Sequence, residues 1–265
     1  MLTHPRLVAV RVRVEKLDVI DGSVGIEISR VRASQAGKLH QLFAGDLSAK
    51  SGADVRPRAA PRPLVAKLGG SLAGTPLLAE WIAALDLYPD PLVIVPGGSG
   101  FADAVRTMQK KMHFDDDAAH HIALVAMEQY GLALAALWPR LTMTATPAAI
   151  ARALRTGRIA CWAPARMAMA SSLPKSWDVT SDSLAAWLAG HLRAERLLLI
   201  KSAPIDADAD FSLLDLANAG IVDRLFPHFA AASGADTFIA GPNALPDAPA
   251  KLSRSQIPGL RPRRR

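Results

Sequence analysis

Leu64-Val65-Ala66-Lys67-Leu68-Gly69-Gly70-Ser71 and, further along, Leu92-Val93-Ile94-Val95-Pro96-Gly97-Gly98-Ser99-Gly100 decide the reading of this chain. Each is a short apolar run that breaks off in a glycine pair followed by a serine. Apolar runs of this length fit strands buried on both faces of a parallel sheet. Open sheets of that kind collect ligands beyond the carboxyl ends of their strands. Glycine there lets the main chain approach an anion closely, and the helix that follows offers unpaired N–H groups and a positive dipole end. A turn would account for one such loop; two, on successive strands, point to a phosphate site. Lys67 adds to this. An unpaired lysine inside an apolar strand is costly, whereas at a strand end beside a glycine loop its ammonium can meet a phosphate. A lysine snorkelling at a sheet edge is the alternative.

The pattern continues on the carboxyl side. Helices are predicted from about Pro76 to Asp86, with Pro76 suited to a first turn, and from Phe101 to Met112. A longer one runs from Asp116 to Trp138, with Asp115, Asp116 and Asp117 at its positive end and Pro139 as its stop. Further strands are expected near Leu141–Thr144, Ile159–Ala163, Leu197–Lys201 and Thr237–Ala240, and further helices over 147–156, 182–194 and roughly 222–232. Strand–helix alternation of this kind predicts an α/β fold, a three-layer α/β/α sandwich on a mostly parallel sheet. On the amino side, apolar and charged residues alternate from Val10 to Val14. Asp21-Gly22 reads as a turn, and Val24–Ile28 alternates again, so residues 1–44 read as a β-hairpin extension. Residues 45–63, rich in Gly, Ser, Ala, Arg and Pro, read as a linker. The body then spans 64–250 and a basic tail 251–265. No internal repeat of fixed period is visible.

The 265 residues carry a net charge of +7, half of them are hydrophobic and 5% are aromatic. The charge is uneven: residues 1–63 hold +5, residues 251–265 hold +6, and residues 64–250 hold −4. A nucleic-acid partner is therefore not expected of the body. The run Arg261-Pro262-Arg263-Arg264-Arg265 reads as a solvated tail, with an RNA or membrane contact as the alternative. Cys161 is the only cysteine, so no intrachain disulfide can form, which suits a reducing cytoplasm. No apolar stretch reaches the length of a membrane span. Arg11, Arg13, Glu15 and Lys16 interrupt any signal-peptide core.

A third feature is Trp177-Asp178-Val179-Thr180-Ser181-Asp182-Ser183-Leu184-Ala185. Thr180 or Ser181 suits the cap of the helix that follows. A cap explains neither the tryptophan nor the two aspartates. Lys201 ends the next apolar run. If Lys67 and Lys201 converge at the sheet edge they repel, and a carboxylate between them would relieve this; Asp182 is the candidate. No G-x-x-x-x-G-K-[ST] and no G-x-G-x-x-G occurs, which argues against a Walker-type enzyme and a dehydrogenase. His120 and His121 read as helix residues, one inward and one outward, with contact to an acceptor as the alternative. Met127 and Tyr130 read as core packing.

Over about residues 64–242 these motifs resemble the amino acid kinase superfamily, which includes acetylglutamate, uridylate, aspartate and isopentenyl phosphate kinases. The resemblance implies an ATP- and Mg²⁺-dependent phosphotransferase with Lys67, Lys201 and Asp182 as catalytic residues. It assigns Gly69, Gly70, Ser71 and Ser181 to phosphate or ATP. Gly97, Gly98, Ser99, Asp178 and Thr180 go to the acceptor, and no side chain to a metal. Backbone N–H groups of Gly69, Gly70, Gly97 and Gly98 are expected to hold the phosphate oxygens. Ala119–Leu124, Ala126–Gly131 and Trp177–Ser183 resemble a narrower branch, the compact kinases of methanofuran-type cofactor biosynthesis. Those enzymes convert an aminomethyl-furanmethyl phosphate to its diphosphate. The branch implies a small phosphorylated acceptor, no nucleic acid or membrane partner and a cytoplasmic setting, and leaves a homo-oligomer open. Other small acceptors, or a nucleotide-binding regulatory module without turnover, remain alternatives. Larger members carry a late lysine where this chain has Gly220-Ile221-Val222-Asp223-Arg224, so Arg224 or Lys201 would take its part. Val10–Lys16 and Gly22–Ile28 resemble the last two strands of dihydroneopterin aldolase, with Lys16 at the position of its catalytic lysine. Only a fragment of that domain is present.

Overall fold

Five-residue runs of wholly buried side chains form the middle of the sheet: β3 (Leu64–Leu68) and β4 (Leu92–Pro96). The computed structural model describes residues 18–20, 23–25, 62–206 and 210–263. Two units are distinguished, residues 1–58 and 59–265. In the first, β1 (Asp18–Ile20) pairs antiparallel with β2 (Ser23–Gly25), and Ile20 opposite Ser23 brackets the expected Asp21-Gly22 turn. The strand expected over Val10–Val14 and most of the expected linker lie outside the described residues.

In the second unit β5 (Leu141–Thr144), β6 (Ile159–Trp162), β7 (Arg196–Ile200) and β8 (Asp236–Ala240) complete a six-stranded sheet of order β5-β6-β4-β3-β7-β8. Every pairing is parallel. Helices flank it: α1 (Pro76–Asp86), α2 (Ser99–Met112), α3 (Asp116–Leu137), α4 (Pro147–Arg155), α5 (Ala165–Met169), α6 (Ser181–His191), α7 (Leu213–Asn218), α8 (Phe226–Ser233) and α9 (Ala248–Leu252).

The two-residue period of a strand divides the core. Val65, Val93, Val95, Leu197 and Leu199 pack with Leu184 and Leu188 of α6 and Phe226 of α8. Ala66, Leu68, Ile94, Leu198 and Ile200 pack with Trp81 and Leu85 of α1 and Leu252 of α9. Lys67 has the parity of Val65 and so belongs to the face that α6 covers. From β4 the chain runs out to β5 and returns through β6, then crosses β3 to β7. The chain leaves the carboxyl ends of β3 and β7 in opposite directions, so the switch point where such sheets open a crevice lies between these two strands.

Three helices went unread in the sequence: α5, α7 and α9 are of five or six residues, too short for a periodic pattern. Ser212 and Asp215 form a capping box at α7. The helix expected from residue 222 starts at Phe226, with Pro227 in its first turn, because Asp223 is engaged elsewhere. The basic side chains of the tail's described part are exposed, as expected, but its backbone is docked. Leu260 is buried and forms an antiparallel bridge with Ile239 of β8. Arg261 pairs with Asp236, and Arg263 with Asp210.

Trp81 has no exposed surface. Trp81→Ala should lower the unfolding free energy by about 3–5 kcal/mol in a denaturant titration.

Candidate active site

The sheet brings Lys67 and Ile200 into adjacent strands, with Leu68 directly opposite Ile200. Lys201, the first residue past β7, therefore lies beside the glycine loop, and Gly69 N–H donates to the Ile200 carbonyl at 3.0 Å. Helix α6 presents its first turn to both lysines. Asp182 Oδ1 lies 2.9 Å from Lys67 Nζ and Oδ2 lies 2.5 Å from Lys201 Nζ. The Lys67 contact is ionic, since Oδ1 takes no aligned hydrogen bond. Asp182 and Lys67 are buried, at 4% and 5% exposure. Burial alone would raise the Asp182 carboxyl; the ammonium groups of Lys67 and Lys201 outweigh it and hold it at about 2. Burial, then the charge of Lys67, depress Lys201 to about 8 against the pull of Asp182.

A second carboxylate sets the first turn of α6. Asp223 Oδ2 accepts from the Thr180 N–H at 2.9 Å, the Thr180 hydroxyl at 2.8 Å and the Ser183 N–H at 3.0 Å, and the Ser183 hydroxyl donates to Oδ1. Orphan helix donors are thus met by an acid from a distant loop. Thr180 is the N-cap, with a long 3.5 Å bond from Asp182 N–H.

The two glycine loops touch backbone to backbone. A Cβ on Gly70 would sit 2.2 Å from Ser99 N, and one on Gly97 would sit 2.3 Å from Gly70 N. Ser99 opens α2 with φ at +50°, a conformation unusual for a residue with a side chain. Among the described residues the N–H groups of Gly70, Gly98 and Ser99 have no partner.

A cavity of about 760 Å³ opens over these groups. Lys67, Gly70, Ser71, Gly98, Ser99, Asp178, Thr180, Ser181, Asp182 and Lys201 all line it. Gly69 and Gly97 do not, which corrects the expectation that all four glycine N–H groups face the ligand. Gly69 donates to Ile200 and Gly97 donates to the Leu68 carbonyl at 2.8 Å. Their lack of a side chain lets the loops close on each other. Ser71 and Ser202 hydroxyls bond at 2.7 Å.

The far wall comes from α2, α3 and the loop before α6. His120 is buried and lines the cavity, as does Met127, while His121 is exposed. Met127 therefore serves both core and cavity. Trp177 donates from Nε1 to Gln109 Oε1 at 2.8 Å, and the Arg106 guanidinium stacks on its ring at 4.3 Å. Ile221, Val222 and Arg224 close the other end. The parts of Arg106, Gln109 and Asp223 were missed. Arg106 and Gln109 read as ordinary polar positions on α2, whereas Asp223, a lone acid after an apolar pair, was visible but taken only as a departure.

Three comparisons bear on this geometry. A model of the amino acid kinase family matches residues 62–215. A relative from Methanocaldococcus jannaschii, named [5-(aminomethyl)furan-3-yl]methyl phosphate kinase, is 28% identical over 178 residues, covering 62% of this chain and 80% of its own. Among solved structures, uridylate kinase from Archaeoglobus fulgidus superposes with a TM-score of 0.56 at 14% identity, over 76% of this chain and 99% of that one. UMP kinase from Ureaplasma parvum gives 0.54 at 15%, over 72% and 96%. At such identities the structures speak for the fold alone.

The Asp182 carboxyl lies below its ordinary 3.8 in the folded state. The stability this contributes is present above about pH 4 and lost as pH falls toward 2. Over that window the unfolding free energy should fall more steeply with acid in the wild type than in Asp182→Asn, measured by urea titration at each pH.

Proposed function

The chain belongs to the amino acid kinase family, and from that premise we propose that it moves the terminal phosphoryl group of ATP onto a small phosphorylated acceptor at the Lys67–Asp182–Lys201 site. The observation that carries this reading is the pair of ammonium groups from separate strands held by one buried carboxylate, beside backbone N–H groups with no partner in the described chain. Phosphoryl transfer needs in-line positioning and cancellation of charge on the moving oxygens.

In this mechanism Lys67 and Lys201 face the oxygens of the transferring group. The N–H groups of Gly70, Gly98 and Ser99 take the remaining oxygens. Asp182 keeps both ammonium groups charged and fixed in direction, and is itself kept in place by the Asp223 clamp on α6. The bond from the terminal phosphorus to the ADP oxygen breaks as a bond to the acceptor's phosphate oxygen forms. That acceptor arrives ionised, so the step requires no base. Magnesium travels with polyphosphates. Among the described residues no group of three or more His, Cys, Asp or Glu side chains is placed to hold a metal. Asp182 and Asp223 are both committed to protein groups, so magnesium would be held chiefly by the phosphates and would supply charge neutralisation there.

For the acceptor we favour (5-aminomethylfuran-3-yl)methyl phosphate, converted to its diphosphate in methanofuran or methylofuran synthesis. The activity for which the archaeal relative is named supports this. So do the Ala119–Leu124 and Trp177–Ser183 segments, which both reach the cavity. The half lined by Ile221, Val222 and Arg224 is left for the nucleoside, with Arg224 in place of the family's late lysine.

Lys67→Ala should keep its circular dichroism spectrum and lose ADP formation with the furan phosphate by about 10²–10³ or more; wild-type turnover in that variant would refute the role of Lys67. Because Lys201 is depressed to about 8, kcat/KM should fall as pH rises through that value. Bound polyphosphate favours the charged amine, so the corresponding limb of kcat should lie at higher pH.

A further inference from the structure

The mechanism above leaves His120, a buried polar group of the cavity, unused. His120 is 6% exposed and its Nε2 has no hydrogen-bond partner among the described residues. A buried polar atom left unmet costs about 1–3 kcal/mol, and a ligand in the cavity is what can meet it. Burial lowers the proton affinity of the ring first, and Lys175 lowers it further, so both favour the neutral imidazole. Asp117 and the Ser176 backbone act the other way, and His121 acts with Lys175. Lys175 is itself paired to Asp117 at 2.5 Å. A neutral imidazole has a single ring proton. The Ser176 backbone lies against the ring, and Nε2 is the nitrogen left without a partner among the described residues.

A neutral ring can offer Nε2 as a donor or as an acceptor, and the other unpaired group of the cavity favours the second. The cavity also holds the carboxylate of Asp178, exposed and without an ion-pair partner among the described residues. The other nearby acid on that wall, Asp103, is already paired with Arg106 at 2.9 Å. An acceptor group that both donates a hydrogen bond and carries positive charge satisfies the two vacant partners together.

We propose that His120 reads a primary ammonium on the acceptor, with Nε2 accepting its hydrogen bond and Asp178 supplying the countercharge. Resting on the kinase reading, this makes His120 a specificity residue that touches the acceptor away from the reacting phosphate. It also accounts for a polar side chain on the stretch of α3 that otherwise offers Ala123, Leu124 and Met127 to the cavity. The bond is charge-assisted, and its loss should cost about 10- to 100-fold in discrimination.

The test compares (5-aminomethylfuran-3-yl)methyl phosphate with its 5-methyl and 5-hydroxymethyl counterparts in the wild type, His120→Phe and His120→Gln, with circular dichroism to confirm folding. The wild type should prefer the amine by about 10- to 100-fold over the 5-methyl compound, chiefly through KM. His120→Phe should lose that preference by raising KM for the amine alone. His120→Gln, whose amide oxygen can accept, should keep part of it. An unchanged preference in His120→Phe, or a wild-type preference for the hydroxymethyl compound, overturns the inference. Calorimetry without nucleotide separates the two readings. Amine-selective binding that disappears in His120→Phe, with no turnover of any compound, retains His120 and rejects the kinase assignment for this acceptor. Equal or absent binding of amine and methyl compounds by the wild type rejects the His120 assignment.

Discussion

One carboxylate between two ammonium groups sets the terms for the rest of the molecule. Lys67 and Lys201 come from neighbouring strands of a sheet whose register offers no choice about their proximity. Left alone, two buried cations at that distance would neutralise or splay apart. Asp182 makes their convergence tolerable, and it can do so only if α6 begins beside the ends of β3 and β7. The Asp223 clamp on Thr180 and Ser183 then has an evident purpose, because it fixes where that helix starts. A net charge of one proton's worth remains on the triad, directed into the cavity and ready for an anion.

The loops impose the complementary constraint. An anion can be held by main chain only where main chain is bare. Gly70 and Gly97 achieve this by contact between loops, at separations no Cβ could occupy. The division of labour differs from one in which every glycine serves the ligand. Gly69 and Gly97 spend their N–H groups on the strands that hold the loops in place, and Gly70, Gly98 and Ser99 are left facing outward. Ser99 accepts a left-handed backbone to make the turn, and the contacts of both loops keep it there.

Much of this was legible from residues 64–100 and 177–201. Buried parallel strands announce themselves as apolar runs, and glycine pairs after them mark where the main chain is exposed. Lys67, Asp182 and Lys201 stood out because charge in an apolar setting demands a partner. What stayed hidden has physical reasons. The five- and six-residue helices α5, α7 and α9 carry too few turns for periodicity. Asp223 acts across 40 or more positions of sequence on α6, a pairing that only the folded chain creates. That one of His120 and His121 would face inward followed from helical period; that it is His120, and that its Nε2 lacks a partner, did not. Arg261 and Arg263 are solvated, as a cluster of like charges suggests, but their pairing with Asp236 and Asp210 is created only by the folded chain.

Those two arginines have a consequence for how the sheet ends. β8 is an edge strand, and an open edge is a template on which another chain can add. Here the bridge from Leu260 to Ile239 lies along that edge, flanked by Arg261 and Arg263. The protein's own backbone thereby occupies the border at Ile239, with Arg261 and Arg263 anchored beside it by Asp236 and Asp210, so a seventh strand would have to displace it to pair there.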